Sequence, residues 1–159
     1  MTTPEHDIFT RLLVRLERLH ASMADDLALL GDVPDDLATF EALPPARRSG
    51  SRAVLKSFEQ IEDQLARAFR LIPRLLAENT DQWFARDYAD YMEKIGILDD
   101  AARWSVIVRL RNDLVHDYPL DADVQYARFR AAVAALDDLS AAYRKLLLFA
   151  QTELRDHLP

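Results

Sequence analysis

An all-α, up-and-down helical bundle is the fold class this sequence predicts, and three observations predict it. Apolar residues recur by threes and fours along most of the chain, the signature of one buried helical stripe. Strand-like alternation is nearly absent. Only three glycines, Gly31, Gly50 and Gly96, punctuate 159 residues. That length suits a single domain, residues 1–159, with four to five main helices.

The first helix is carried by Ile8, Leu12, Leu16, Leu19, Met23, Leu27 and Leu30, and it ends at Gly31. Residues 33–43 form a connection with a short helix around Leu37 and Phe40, stopped by Pro44 and Pro45. The stretch ARRSGS (46–51) reads as a loop in which Ser49 or Ser51 caps the next helix. Val54, Phe58, Ile61, Leu65, Phe69 and Ile72 define that second long helix, and Pro73 predicts a kink or an early end. Asn79-Thr80-Asp81 is a break. A shorter helix follows from about Arg86 to Ile95, with Gly96 as a left-handed C-cap and Ile97 as its hydrophobic contact. Asp99 or Asp100 caps a helix that turns Trp104, Ile107, Leu110 and Leu114 inward, and Pro119 ends it. Asp121 or Asp123 opens the last helix, with Phe129, Val133, Leu136, Leu139, Tyr143, Leu147 and Leu154. Its length predicts fraying or a break near the end.

Composition narrows the chemistry. Half of the residues are hydrophobic, so a core forms without covalent staples. Cysteine is absent, which excludes thiol nucleophiles and Cys-ligated zinc. The four histidines (6, 20, 116, 157) are scattered without metal-ligand spacing, and the three glycines are too isolated to cradle a phosphate. No cofactor is implied. No apolar run approaches the roughly 20 residues of a membrane span, and MTTPEHDIFTRLL does not read as a signal peptide. A cytoplasmic location is the expectation.

Net charge is −7, which argues against indiscriminate nucleic-acid binding. The charge is uneven, however. Asp25, Asp26, Asp32, Asp35, Asp36 and Glu41 come with no base among them, and Arg47, Arg48, Arg52 and Lys56 then come with no acid. Arg103, Arg109 and Arg111 form a third group. Solvated helix faces account for most of this; a local positive patch on an acidic body is the alternative.

The densest polar chemistry lies in RLRNDLVHDYP, residues 109–119. Arg109, Asn112 and His116 share one helical face; Arg111, Val115 and Tyr118 form a neighbouring stripe. His116 stands in the last turn, where free carbonyls favour a cation, and Asp113 and Asp117 flank it. A histidine so placed is a candidate general acid or base. Arg111 carries the planar fork that matches phosphate oxygens. Asn112 can hold the imidazole tautomer or bind a phosphate or base edge. Together they suit attack of a ribose 2′-OH on its own phosphodiester. The bland reading is a C-capping histidine and an arginine paired with an acid. Arg111 and His116 are also about 140° apart on one helix, so a single helix does not aim both at one atom. A two-fold dimer that sets this helix against its copy solves that problem.

Arg111-Asn112-Asp113-Leu114-Val115-His116-Asp117-Tyr118 resembles the Arg-x4-His-x-Tyr motif of HEPN-domain toxins of the HepT family. The preceding YADYMEKIGILDDAARWSVIVRL resembles that family's short helix, Gly-Ile-Leu turn and following helix. The likeness is specific over about residues 87–125 and weaker across VLKSFEQIEDQLARAF. The first 45 residues match only as an amphipathic helix. The resemblance implies a HEPN-like bundle that forms a homodimer with the motif helices at its cleft. It implies a metal-independent endoribonuclease, the toxin of a type VII-like HEPN/MNT pair, acting on RNA such as tRNA or mRNA. Arg111 and His116 carry over as the catalytic pair, Asn112 as the polar residue beside the arginine, and Asp113, Asp117 and Arg109 as supporting groups. An MNT-class nucleotidyltransferase antitoxin is the implied partner, with AMPylation of Tyr118 as the silencing step.

The chain departs from that pattern in its length, in the acidic segment 25–41 and in its negative charge. The charge favours a narrow substrate, such as a folded RNA, over broad RNA affinity. Two other classes compete: a non-catalytic nucleotide- or substrate-binding subunit partnering a nucleotidyltransferase, and a helical interaction module without enzymology.

Overall fold

The computed structural model describes residues 4–117 and 119–155, and these form six helices, five long and one short: α1 (Pro4–Leu30), α2 (Leu37–Glu41), α3 (Pro45–Leu75), α4 (Ala85–Lys94), α5 (Ala101–His116) and α6 (Ala122–Glu153). No strand occurs among the described residues. The helices make a bundle in which α3 is the common neighbour: α1, α4, α5 and α6 all pack on it, and α6 also touches α1, α2 and α5.

The apolar stripe of α3 explains its central place. Val54, Phe58, Ile61, Leu65, Phe69 and Ile72 are all buried, as their spacing predicts. Fully burying a residue of this size removes enough apolar surface from water to contribute about 2–3 kcal/mol each. Phe69 meets Trp104 of α5 with ring centroids 4.8 Å apart, which ties the motif-bearing helix to the core. Phe40 of α2 packs on Phe129 of α6 at 5.0 Å. The carbonyl of Pro34, just before α2, accepts hydrogen bonds from the Tyr126 hydroxyl and Arg130 of α6. The acid-rich 25–41 segment is therefore stitched to the bundle through a carbonyl, while Asp25, Asp32, Asp35 and Asp36 keep their side chains in solvent.

The start of α3 differs from the sequence expectation. ARRSGS is helical, not a loop; α3 begins at Pro45, whose fixed φ and missing N–H suit the first helical position. Neither Ser49 nor Ser51 caps it, and the Ser51 hydroxyl donates to the Arg48 carbonyl inside the helix. Gly50 is there because two helices nearly touch: a Cβ at this position would lie 2.5 Å from the Leu30 nitrogen of α1. Arg47 donates Nε to the Leu30 carbonyl at 2.7 Å and reaches the Asp32 carbonyl, so the C-terminus of α1 is closed by a side chain of α3.

Other expectations shift by a residue or a degree of burial. Ile8 is exposed and Phe9 takes its place in the core. Leu110 and Leu114 are half-buried rather than buried, as are Val133 and Leu147 of α6, where Ala132 and Leu146 sit deeper. α3 ends two residues after Pro73, and α6 runs unbroken to Glu153. Asp100, not Asp99, caps α5 by accepting from the Arg103 N–H at 3.0 Å; Asp99 instead pairs with Lys145. Asp121 caps α6. Gly96 closes α4 with φ +82°, and Ile97 is buried beside it with its N–H on the Met92 carbonyl. No helix among the described residues is long and apolar enough to cross a membrane.

Candidate functional site

α5 buries its residues only in its first half: Ala101, Trp104 and Ile107. Past Ile107 the helix keeps only half-buried contact with the core, through Val108, Leu110 and Leu114, and its polar residues face outward from that edge. Two sides of this segment have different surroundings.

Arg111 faces α3. Its Nε lies 3.3 Å from Glu62 Oε2 and its Nη2 3.3 Å from Asp63 Oδ1. Its Nη1 donates to Asn112 Oδ1 at 3.2 Å. The guanidinium is thus held on three nitrogens, which fixes its plane. One of these contacts is incomplete. The Nε–H is buried and makes no hydrogen bond, because Glu62 is near enough for attraction but not aligned to accept. A buried donor left so costs about 1–3 kcal/mol.

Glu62 is the unexpected member. It is 3% exposed, and burial pushes its carboxyl up to about 7. Arg111 opposes that rise, Asp63 adds to it, and Arg70 opposes it more weakly. Sequence reasoning missed both α3 acids. The signal was available: Glu62 follows Phe58 by four residues and precedes Phe69 by seven, which puts a carboxylate on the edge of a core stripe. Without knowledge of which helix packs opposite, that carboxylate has no evident partner.

Around this cluster runs a groove of about 700 Å³ between α3, α4 and α5. Arg67, Arg70, Arg86, Arg109, Arg111 and Asn112 line it, with Phe69, Tyr88 and Trp104 as its aromatic residues. Arg67 pairs with Asp63 at 2.9 Å. The groove gathers three of the residues singled out in the sequence, Arg109, Arg111 and Asn112.

His116 does not line that groove. It is exposed at the last turn of α5. At this helix end Arg128 of α6 donates to the carbonyls of Asp113 and Asp117 and pairs with the Asp117 carboxylate at 2.8 Å. The C-terminal cap that the sequence offered to His116 is therefore supplied by Arg128, and Asp117 is turned toward that arginine. Arg103 is committed elsewhere, with Nε and Nη2 both on Asp138. Tyr118 lies outside the described residues.

Comparison with protein-family models, with curated proteins and with solved structures finds no match to this chain.

What the arrangement can do follows from its parts. Arg111 offers a guanidinium oriented by its contacts with α3 at the wall of a groove rich in arginine, which suits a phosphate. His116 offers an accessible imidazole able to move a proton. Within one chain the two serve different surfaces.

Proposed function

We propose that the chain is a metal-independent endoribonuclease of the HEPN/HepT toxin type, working as a homodimer and neutralised by an MNT-class nucleotidyltransferase antitoxin through AMPylation of Tyr118. The Arg111-x4-His116-x-Tyr118 spacing in the sequence motivates the reading. One arrangement supports it most: Arg111 is held on three nitrogens at the wall of an arginine-lined groove, while His116 stands uncommitted in solvent at the same helix end.

In the proposed reaction His116 takes the proton of a ribose 2′-OH. The oxygen attacks the adjacent phosphorus, and the bond to the 5′-oxygen breaks. The leaving oxygen takes a proton from an imidazolium, and the products are a 2′,3′-cyclic phosphate and a 5′-hydroxyl. Arg111 and Asn112 hold the non-bridging oxygens as charge builds on them. Two copies supply what one chain separates. An exposed Val106, with Ala131 and Ala134 of α6, lines a shallow apolar groove beside Arg109 and Asp113. Pairing across that face would set one His116 near the partner's motif helix. AMPylation of Tyr118 would place bulk and negative charge where the RNA phosphate must enter.

The deciding experiment is incubation of the purified protein with total RNA and with tRNA in EDTA, followed by analysis of the new ends. Cleavage giving cyclic-phosphate ends, lost on the order of a thousandfold in His116→Ala and similarly in Arg111→Ala, is the expected result. An inactive wild-type chain that also leaves growth unaffected on expression would overturn it. Mass spectrometry after co-expression with the neighbouring reading frame reads the second half: a gain of one adenylate on Tyr118.

A second reading has its own support. The Arg111 charge is already matched by Glu62 and Asp63, and His116 lies outside the groove. A non-catalytic subunit that presents a nucleotide or substrate to a nucleotidyltransferase needs only the groove. It predicts partner activity that survives His116→Ala and fails in Arg111→Ala.

A further inference from the structure

The groove beside Arg111 has a neighbour. A second furrow of about 550 Å³ runs between α1 and α3, lined by Arg11, Arg15, Arg67, Arg70 and Arg74, with Gln64 and three aliphatic residues, Ile8, Leu12 and Leu71. No acid lines it. Arg67 and Arg70 line both furrows, so the two adjoin at these residues of α3. Together they gather eight of the chain's 17 arginines, and the acids among their lining residues are Glu62 and Asp63 alone. For a protein of net charge −7 with 27 acids, that is a marked sorting of charge onto one face.

Most of these arginines are not used internally. Among the described residues Arg11, Arg15, Arg70, Arg74 and Arg109 take part in no ion pair, and all five are exposed. Unpaired like charges held side by side repel one another, a cost that an acidic chain could avoid simply by interleaving its acids. Spacing on the helices makes the array regular. Arg67, Arg70 and Arg74 are at i, i+3 and i+7 on α3, and Arg11 and Arg15 at i and i+4 on α1, so each set shares one face. Three helices packed 8–10 Å apart carry the array across about 20 Å, the reach of several consecutive phosphates.

We infer that this double furrow is a binding surface for the phosphate backbone of single-stranded RNA, which it leads from the α1–α3 furrow over α3 toward Arg111. The choice of RNA as occupant rests on the ribonuclease reading above; the polyanion surface rests on the arginines alone. The lining favours a nucleic-acid backbone over the alternatives. A protein partner wants an apolar, aromatic centre, and the outer furrow has no aromatic side chain. An anionic bilayer is flat, whereas these are concave. The half-buried Tyr88 in the inner groove gives one base a surface to stack on.

The test uses the His116→Ala chain, so that bound RNA stays intact, and fluorescein-labelled oligouridine read by anisotropy over a salt series. Replacing Arg11, Arg15, Arg70 and Arg74 together by Ala should weaken binding on the order of 30-fold and lower the salt slope by about 3. A control removing the same charge elsewhere, Arg52→Ala, Lys56→Ala, Lys94→Ala and Arg144→Ala, should change affinity about twofold or less by comparison. Circular dichroism checks that both variants fold. Equal losses in the two variants, no loss in either, or no binding by the parent would overturn the inference. So would tighter binding of polyglutamate or of phosphatidylserine vesicles than of oligouridine. If the parent binds RNA through these arginines but wild type never cleaves it, the ribonuclease reading falls and the surface stands. If cleavage is normal while the four-site variant binds as before, the surface falls alone.

Discussion

α3 and α5 are both central, both arginine-rich and in contact with each other, yet they spend their residues differently. α3 buries a side chain on every turn from Gly50 to Pro73. α5 does so only from Ala101 to Ile107, then continues for nine residues with nothing fully buried. The first is a structural axis whose outer face carries arginines. The second is anchored at its N-terminal end and presents at its C-terminal end. A helix that stays regular at the edge of the core is held there by partial burial of Val108, Leu110 and Leu114 together with polar contacts, here the Arg128 cap and the contacts of Arg111 with α3.

The contrast can be broken most forcefully inside α3. Phe58 is 0% exposed, so Phe58→Ala should cost about 4 kcal/mol of stability through lost burial and the cavity left behind. Val115 of α5 is 46% exposed, and Val115→Ala should stay within about 0.5 kcal/mol. Paired denaturant unfolding curves measure both; a comparable loss at Val115 would mean that the free half of α5 is packed after all. Next in size is Gly50→Ala. The added methyl meets the backbone of α1, which no rotamer change relieves, so about 3 kcal/mol is expected, at the top of the range for overpacking. A neutral result would separate the α1–α3 crossing from its close approach.

The smallest effect tests where the two helices meet. The Glu62 carboxyl titrates near 7 when folded, against an ordinary value of 4.5. The native chain therefore holds this proton where the unfolded chain has released it. That contribution is fully present below pH 4.5 and is lost as pH rises through about 7. From pH 5 to pH 8 wild type should lose about 2 kcal/mol more stability than Glu62→Gln, which has no proton to release. Parallel slopes for the two chains would show that Glu62 is ionised throughout and that its pairing with Arg111 outweighs burial.

Much of the helical order was legible from periodicity. The stripe from Val54 to Ile72, the stop at Gly96 and the role of Asp100 or Asp121 as caps are decided by neighbours a few residues away, and local chemistry is enough to read them. The start of α3 was misread for a physical reason. Ser and Gly in ARRSGS have the local preferences of a loop, but Gly50 is selected by contact with Leu29 and Leu30 of another helix, and no local rule contains that contact. Ile8 gave way to Phe9 because a one-residue rotation of the stripe costs nothing locally and is settled by what lies across from it.

By itself the sequence determined that this chain is helical, where most helices begin and end, and that its polar chemistry is concentrated at residues 109–119. Those are consequences of spacing along one strand of covalent bonds. Tertiary packing decided that Arg111 meets Glu62 and Asp63, that Arg128 rather than His116 donates to the carbonyls at the end of α5, and that arginines as distant in sequence as Arg11 and Arg109 line adjoining grooves. Each of those depends on which helix lies opposite which, and that is set by the packing of buried surfaces on several elements at once, a sum that no single stretch of residues contains.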